Sequence, residues 1–245
     1  MSLLSDDETD RLRELLADEL PADVRLIHFT RHDGRPAEPR AAEAGETAGP
    51  QPVAAGEPDE DEDACTSCAD AEALLVELSA TNAHLALEVH DVDAEPALAE
   101  EFAIDRVPAT LIAGPGARGM LRLFGLPAGY EFATLLEDLI DVSAGNDDLG
   151  DEAHEALEQL DREVHLQVFV TPTCPHCPSA ARTAHRLAMA SSRVTADVIV
   201  ANDFPEMAER YDVTAVPKVV IDDERGFVGA LPEDEFVAAV FEATG

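Results

Sequence analysis

The chain is almost without lysine. Lys218 is the only one among 245 residues, and with it the basic residues number 16 against 52 acidic ones, a formal charge of 16 − 52 = −36. Such a chain has no general basic surface to offer nucleic acid or an anionic membrane. Long apolar runs are missing too: nothing approaches the roughly 18 residues that a membrane-spanning helix needs. The start, Met1-Ser2-Leu3-Leu4-Ser5-Asp6-Asp7, lacks the basic region and apolar core of a secretion signal. Cysteine is scarce. There are four, all in C-x-x-C pairs, whereas a secreted disulfide scaffold spreads its cysteines differently. Together these absences lead us to expect a cytoplasmic, soluble protein.

Heavy acidity can mark disorder, but an apolar fraction of 46% and clear periodic segments argue for folded domains. The acids are spread along the chain rather than gathered in a tail, which suits a halophilic protein. At about 1 M salt the Debye length falls to about 3 Å, so self-repulsion is strongly screened.

The richest stretch is Thr171-Pro172-Thr173-Cys174-Pro175-His176-Cys177-Pro178. Ahead of it, Val164 to Val170 is dense in β-branched and apolar residues and reads as a buried strand. Behind it, Ser179 to Ala190 has the composition of a helix. The expectation is a strand-to-helix turn with both cysteines in the first helical turn, their sulfurs on one face and within disulfide reach. Free N–H groups and the positive dipole end there favour a thiolate. That context favours dithiol–disulfide exchange, in which one cysteine attacks and the other resolves, over half a zinc site or a structural disulfide.

The rest of the chain repeats this plan. Ser5 with Glu8 makes a capping box for a first helix, and Val24 to Thr30 reads as a strand in which His28 is a packed or solvated residue. Residues from Arg31 to about Ala64, ending in the acidic run Asp59 to Asp63, lose all periodicity and read as a disordered insertion. Then Cys65-Thr66-Ser67-Cys68 opens a second helix, and the later elements match those after Cys174. Three offsets agree: 174 − 65, 177 − 68 and 217 − 108 all equal 109. Leu126-Pro127 and Leu231-Pro232 match at 105, the difference falling in a hairpin. Each half reads α-β-α-β-α-β-β-α, with units at 1–145 and 146–245. The repeat also speaks against zinc. Four-cysteine sites set their pairs about 15–20 residues apart, whereas here a folded unit intervenes, so no metal is expected.

A C-x-x-C opening a helix, with Val-Pro ahead of a strand far downstream, resembles the thioredoxin superfamily. Two such units, carrying Phe124-Gly125-Leu126-Pro127-Ala128-Gly129 and Thr171-Pro172-Thr173-Cys174-Pro175, resemble the tandem protein disulfide oxidoreductases of archaea and some bacteria. The resemblance implies an α/β chain of two thioredoxin-fold units, each a four-stranded mixed sheet flanked by helices. It implies Cys65 and Cys174 as attacking thiols, Cys68 and Cys177 as resolving thiols, and Pro108 and Pro217 as cis prolines. The backbone of Val107 and Val216 would then pair with an extended substrate. Two departures stand out. Thr66-Ser67 lacks the proline or aromatic residue common between such cysteines, and the strand 164–170 carries no acid to relay protons.

The leading reading is an enzyme that forms, reduces or isomerises protein disulfides at redox-active Cys65–Cys68 and Cys174–Cys177, with no bound cofactor. Its expected partners are thiol or disulfide proteins and a thioredoxin-reductase-like flavoprotein, and it is expected to act as a monomer. An electron shuttle between a flavoprotein reductase and a peroxidase remains open, as does a non-enzymatic client-binding or metal-handling protein. Pro175 and His176 are the expected thiolate-tuning residues and make Cys174 the expected principal nucleophile, since five acids precede the Cys65 motif.

Overall fold

The computed structural model describes residues 3–32 and 65–244. The first helix, α1 (Asp6–Ala17), starts at the expected capping box: the Glu8 N–H donates to Ser5 Oγ, and the Ser5 N–H donates to the Glu8 carboxylate. It buries Leu12 and Leu16. Then come β1 (Val24–Thr30), α2 (Cys68–Ser79), β2 (Leu85–Asp91), α3 (Pro96–Glu101), β3 (Ala109–Ala113), β4 (Met120–Phe124) and α4 (Tyr130–Ala144). The second half repeats the series as α5 (Asp151–Glu158), β5 (Val164–Val170), α6 (Cys177–Ala190), β6 (Val194–Val200), α7 (Pro205–Arg210), β7 (Lys218–Ile221), β8 (Arg225–Val228) and α8 (Glu233–Thr244). Proline opens both α3 and α7, where a missing N–H breaks no helical bond. The tandem thioredoxin folds implied by the sequence are present.

Their sheets are not separate. All eight strands form one sheet in the order β2-β1-β3-β4-β6-β5-β7-β8. Within each half one pair is parallel (β1 with β2, β5 with β6), and the hairpin strands run antiparallel. The halves join where β4 pairs in parallel with β6, from Met120 opposite Thr195 to Phe124 opposite Ile199. An isolated four-stranded unit would leave β4 and β6 with a row of unpaired N–H and C=O groups. Joining the units satisfies both edges at once.

Side chains alternate across the strands, so the sheet carries two cores. Leu26, Val168 and Val170 point to one face, under α2, α4, α6 and α8, with Leu75, Leu139, Leu187 and Phe236. Ile27, Phe29 and Phe169 point to the other, with Phe124, Ile199 and Met207. His28 is fully buried; Thr110 Oγ1 lies 3.0 Å from its Nδ1, and burial lowers its pKa to about 4, which makes it the packed histidine expected.

The unit junction is polar on both faces. Arg122 on β4 reaches across to Asp197 on β6 with Nε and Nη2, at 2.7 and 2.8 Å, and Nη1 donates to the carbonyls of Phe102 and Ala103. His165 Nε2 lies 2.6 Å from the same carboxylate. Burial opposes ionisation of Asp197, but His165 and the Arg122 guanidinium hold its pKa below the usual range. On the opposite face, His185 of α6 and Asp138 of α4 are both buried and meet at 2.6 Å. Burial opposes the charged form of His185, and Asp138 more than offsets it, raising the pKa.

The first two residues of the predicted insertion, Arg31 and His32, are held by side-chain pairs rather than loose. Arg31 pairs with Asp93 at 2.9 Å, and His32 bridges Asp91 and Glu72 at 2.9 and 3.0 Å. The remainder of that expectation, including Asp59 to Asp63, lies outside the described residues.

Candidate functional site

Strand order builds each site. β1 and β5 end at the level where their antiparallel neighbours β3 and β7 begin, with Phe29 opposite Ala109 and Phe169 opposite Lys218. The loop ahead of each neighbour therefore lies beside the start of the cysteine helix. That loop holds a cis peptide bond in both units, Val107–Pro108 and Val216–Pro217.

Both pairs are closed as disulfides, Cys65–Cys68 and Cys174–Cys177, with Cα atoms 5.5 Å apart in each. The outer sulfurs face the cis-proline loops: Cys65 Sγ lies 3.5 Å from the Val107 carbonyl oxygen and Cys174 Sγ 3.8 Å from that of Val216. Cys68 and Cys177 are the first residues of α2 and α6 and are buried. The outer cysteines are less deep, and unequally so. Cys65 is half-buried, whereas Cys174 retains 9% of its exposure. Placing both cysteines in the first helical turn needs correction. A tight turn comes first, with the Cys174 N–H donating to the Thr171 carbonyl and the Cys177 N–H to that of Cys174. His176 is the N-cap, exposed and without a capping hydrogen bond from its side chain, and Pro178 occupies the second helical position. Pro175 lies in the turn between them and is exposed.

Three features escaped the sequence reading. The first is Glu131, at the start of α4. The preceding Tyr130 N–H donates to the Pro172 carbonyl, and an added carbon at Gly129 would come within 2.3 Å of that oxygen, so this helix start abuts the second cysteine loop. Glu131 is 1% exposed and its Oε2 has no hydrogen-bond partner. Burial pushes its pKa up to about 7, against the lowering effect of its own N–H. The internal repeat could have flagged it: 131 + 105 = 236, and Phe236 is a core residue in the second unit. The second is a groove of about 620 Å³ at Cys65, one wall of which is Asp203 and Phe204 of the other unit. The third is the Arg122–Asp197–His165 cluster at the junction, a pairing that only the joined sheet creates.

Each unit thus sets a disulfide at a helix start, its inner sulfur buried and its outer sulfur against a cis-proline loop, an arrangement suited to dithiol–disulfide exchange. The thioredoxin domain model matches residues 164–242. Over its whole length the chain is similar to the protein disulfide oxidoreductase of Aeropyrum pernix K1, at 26% identity and a TM-score of 0.78, covering 98% of this chain and 93% of that one. The N-terminal domain of alkylhydroperoxide reductase AhpF from Enterococcus faecalis has the same fold, with a TM-score of 0.74 at 19% identity, covering 97% of this chain and 99% of that one. Among curated proteins, a Bacillus subtilis NADH dehydrogenase is 22% identical over 192 residues, 78% of this chain and 34% of its own length. The chain spans about a third or less of the length of the first such relatives it matches.

Proposed function

We propose that this chain is a cytoplasmic thiol–disulfide oxidoreductase that forms, reduces or isomerises disulfides in protein substrates, with units at 1–145 and 146–245. The observation that carries the reading is the division of labour within each pair: an outer sulfur beside the cis-proline loop and an inner one sealed at the helix start. In the reducing direction, the Cys174 or Cys65 thiolate attacks one sulfur of a substrate disulfide, and the other leaves as a thiolate that takes up a proton. The inner cysteine, Cys177 or Cys68, then loses its proton and attacks the outer one. That step releases the second substrate thiol and closes the enzyme disulfide, so two electrons pass to the substrate. Oxidation is the same path reversed. Val107 and Val216 offer backbone to an extended substrate strand.

The inner thiol at the second site is buried, and burial disfavours its thiolate. We propose Glu131, buried at the α4 start that abuts the Pro172 loop ahead of Cys174, as the proton acceptor for Cys177: a carboxylate with a pKa of about 7 holds and releases a proton near neutral pH. Charge and access pull the two sites apart. His176 and Pro175 favour the Cys174 thiolate, while the greater exposure of Cys65 favours encounter with a large substrate. A flavoprotein reductase is the proposed electron source, consistent with the fold shared with the reductase subunit domain. The acid-rich composition supports a halophilic setting, and a monomer is the proposed state.

Insulin reduction by dithiothreitol tests the reading. The wild-type chain should accelerate precipitation of the insulin chains, and a variant with serine at Cys65, Cys68, Cys174 and Cys177 should not. Equal rates for the two would refute it. Cys177→Ser should trap mixed disulfides with client proteins; recovery of one peroxidase instead would favour the shuttle. A further expected result concerns His176. An imidazole N–H beside the thiolate stabilises the reduced form, so His176→Tyr should lower the second site's reduction potential by roughly 30 mV, about 1.4 kcal/mol for two electrons. Titration against glutathione measures it, and an unchanged potential would remove His176 from the tuning residues.

A further inference from the structure

We infer that the first site selects its substrates through a wall lent by the second unit, with Phe204 as the specificity-determining residue, and that the preferred substrate is an extended peptide carrying an apolar side chain beside its disulfide cysteine. This deepens the oxidoreductase reading and rests on it.

Strand order makes the two sites unequal. In each unit the cis-proline loop leads into the third strand, and the fourth strand lies beyond it. Past β4 comes β6 of the second unit, and the loop leaving β6 carries Asp203 and Phe204. β8, the counterpart of β4, is the last strand of the sheet formed by the described residues. Among the described residues, only the first site therefore has a neighbouring unit on its cis-proline side.

The wall is fixed in place. Asp203 Oδ2 accepts a hydrogen bond from the Leu126 N–H at 2.7 Å, which ties the loop to the first unit. The ring of Phe204 stands edge-on to Phe124, with centroids 6.5 Å apart. Between this wall and the Cys65–Thr66–Ser67 turn runs the groove of about 620 Å³. That size falls within the range of about 300–1,000 Å³ typical of ligand sites.

The lining names the occupant. Val92, Pro96, Ile104, Val107 and Phe204 are its apolar lining, set among polar and charged side chains. Its charged residues are Arg31 and Arg106 against Asp93, Glu100, Asp105 and Asp203, a net 2 − 4 = −2. Arg31 is paired with Asp93, and Arg106 with Asp105. The groove therefore suits an apolar side chain, tolerates a basic flank, and disfavours an acidic one. An extended peptide whose cysteine meets Cys65 would pair with the backbone of Val107 and lay a neighbouring side chain against Phe204.

Two single-site chains separate the units: Cys174→Ser with Cys177→Ser, and Cys65→Ser with Cys68→Ser. Two fluorescent peptide disulfides serve as probes, with leucine or alanine beside the cysteine and lysine as the flank. Phe204→Ala should raise KM for the leucine peptide about tenfold in the chain that keeps the first site, the loss of one well-packed contact. Its kcat, its alanine-peptide KM and the chain that keeps only the second site should be unaffected. Phe204→Leu should restore most of the leucine-peptide affinity, which separates a lost contact from a disturbed fold. An unchanged KM, or equal changes in both single-site chains, would overturn the selection. Absence of turnover on every peptide by either chain would overturn the oxidoreductase reading instead. The groove is then still read by fluorescence anisotropy with the serine version of the leucine peptide. Binding weakened by Phe204→Ala supports it, and no binding, or binding blind to the substitution, refutes it.

Discussion

Glutamine in place of Glu131 should make the protein more stable above pH 7 and slower at its second site. The folded-state pKa of Glu131 is about 7 against an ordinary value of 4.5, because burial disfavours the charged form. The folded chain thus binds this proton more tightly than the unfolded chain does. Below pH 4.5 the group is neutral in both states and contributes no difference. Between 4.5 and 7 stability falls with rising pH, and above 7 the whole penalty is present. A shift of that size corresponds to roughly 3 kcal/mol at about 1.36 kcal/mol per pKa unit. Glu131→Gln removes the penalty, so denaturant midpoints at pH 8 should rise while those at pH 4 stay put. The same substitution removes the proton acceptor we propose for Cys177. Second-site turnover at neutral pH should fall about 100-fold, the lower end of what general acid–base groups contribute, and lose its pH dependence near 7. First-site turnover should not change. A glutamate kept only for packing would give neither the activity loss nor the flattened profile.

Arg122→Met should be among the most damaging single changes to the fold. It leaves the buried Asp197 without the guanidinium that helps hold its pKa down, and strands the carbonyls of Phe102 and Ala103. Breaking a buried pair from one side costs about 3–5 kcal/mol, whereas replacing both partners with apolar residues is often close to neutral. Arg122→Met with Asp197→Leu should therefore recover most of the stability lost by the single variant. Equilibrium unfolding at low and high salt checks it. The single-variant loss should persist at high salt, since buried pairs are screened far less than surface ones. A double variant as unstable as the single would show that the guanidinium's carbonyl contacts, and not its charge partner, hold the junction.

Much of the candidate site was legible because its chemistry is local. Cys174-Pro175-His176-Cys177 lies between a dense strand and a helix, and proline at 217 sits at the same distance from its cysteines as proline at 108 does from its own. The element order of the two units followed from hydrophobic period and from that repetition, and their fold from the family resemblance. The joined sheet did not, because backbone edges carry no side-chain signature: Met120 to Phe124 reads the same whether β6 lies beside it or water does. Arg122 and Asp197 are 75 residues apart, and each looks like an ordinary surface charge until β4 meets β6. Asp203-Phe204 likewise reads as the approach to a short helix. Only its neighbour across the sheet turns it into a wall. Glu131 differs, since its oddity is visible against Phe236 once the halves are aligned. Helix starts are rich in acids, and that ordinary explanation hid it.

The rule that joins the two units is directional. The fourth strand of one pairs with the second strand of the next, a heterologous contact that does not close on itself. Among the described residues, one chain uses this rule once and leaves both of its halves unspent: β2 at one end of the sheet and β8 at the other. These are complementary ends, so in principle copies could add head to tail into a ribbon. The molecule carries several brakes on that growth. β8 is only four residues long, β2 bears Glu88 and Asp91, and every copy approaches the next with a formal charge of −36. At low salt, where that charge is least screened, dense acidity would oppose a further link; in concentrated salt the short β8 is the brake that remains.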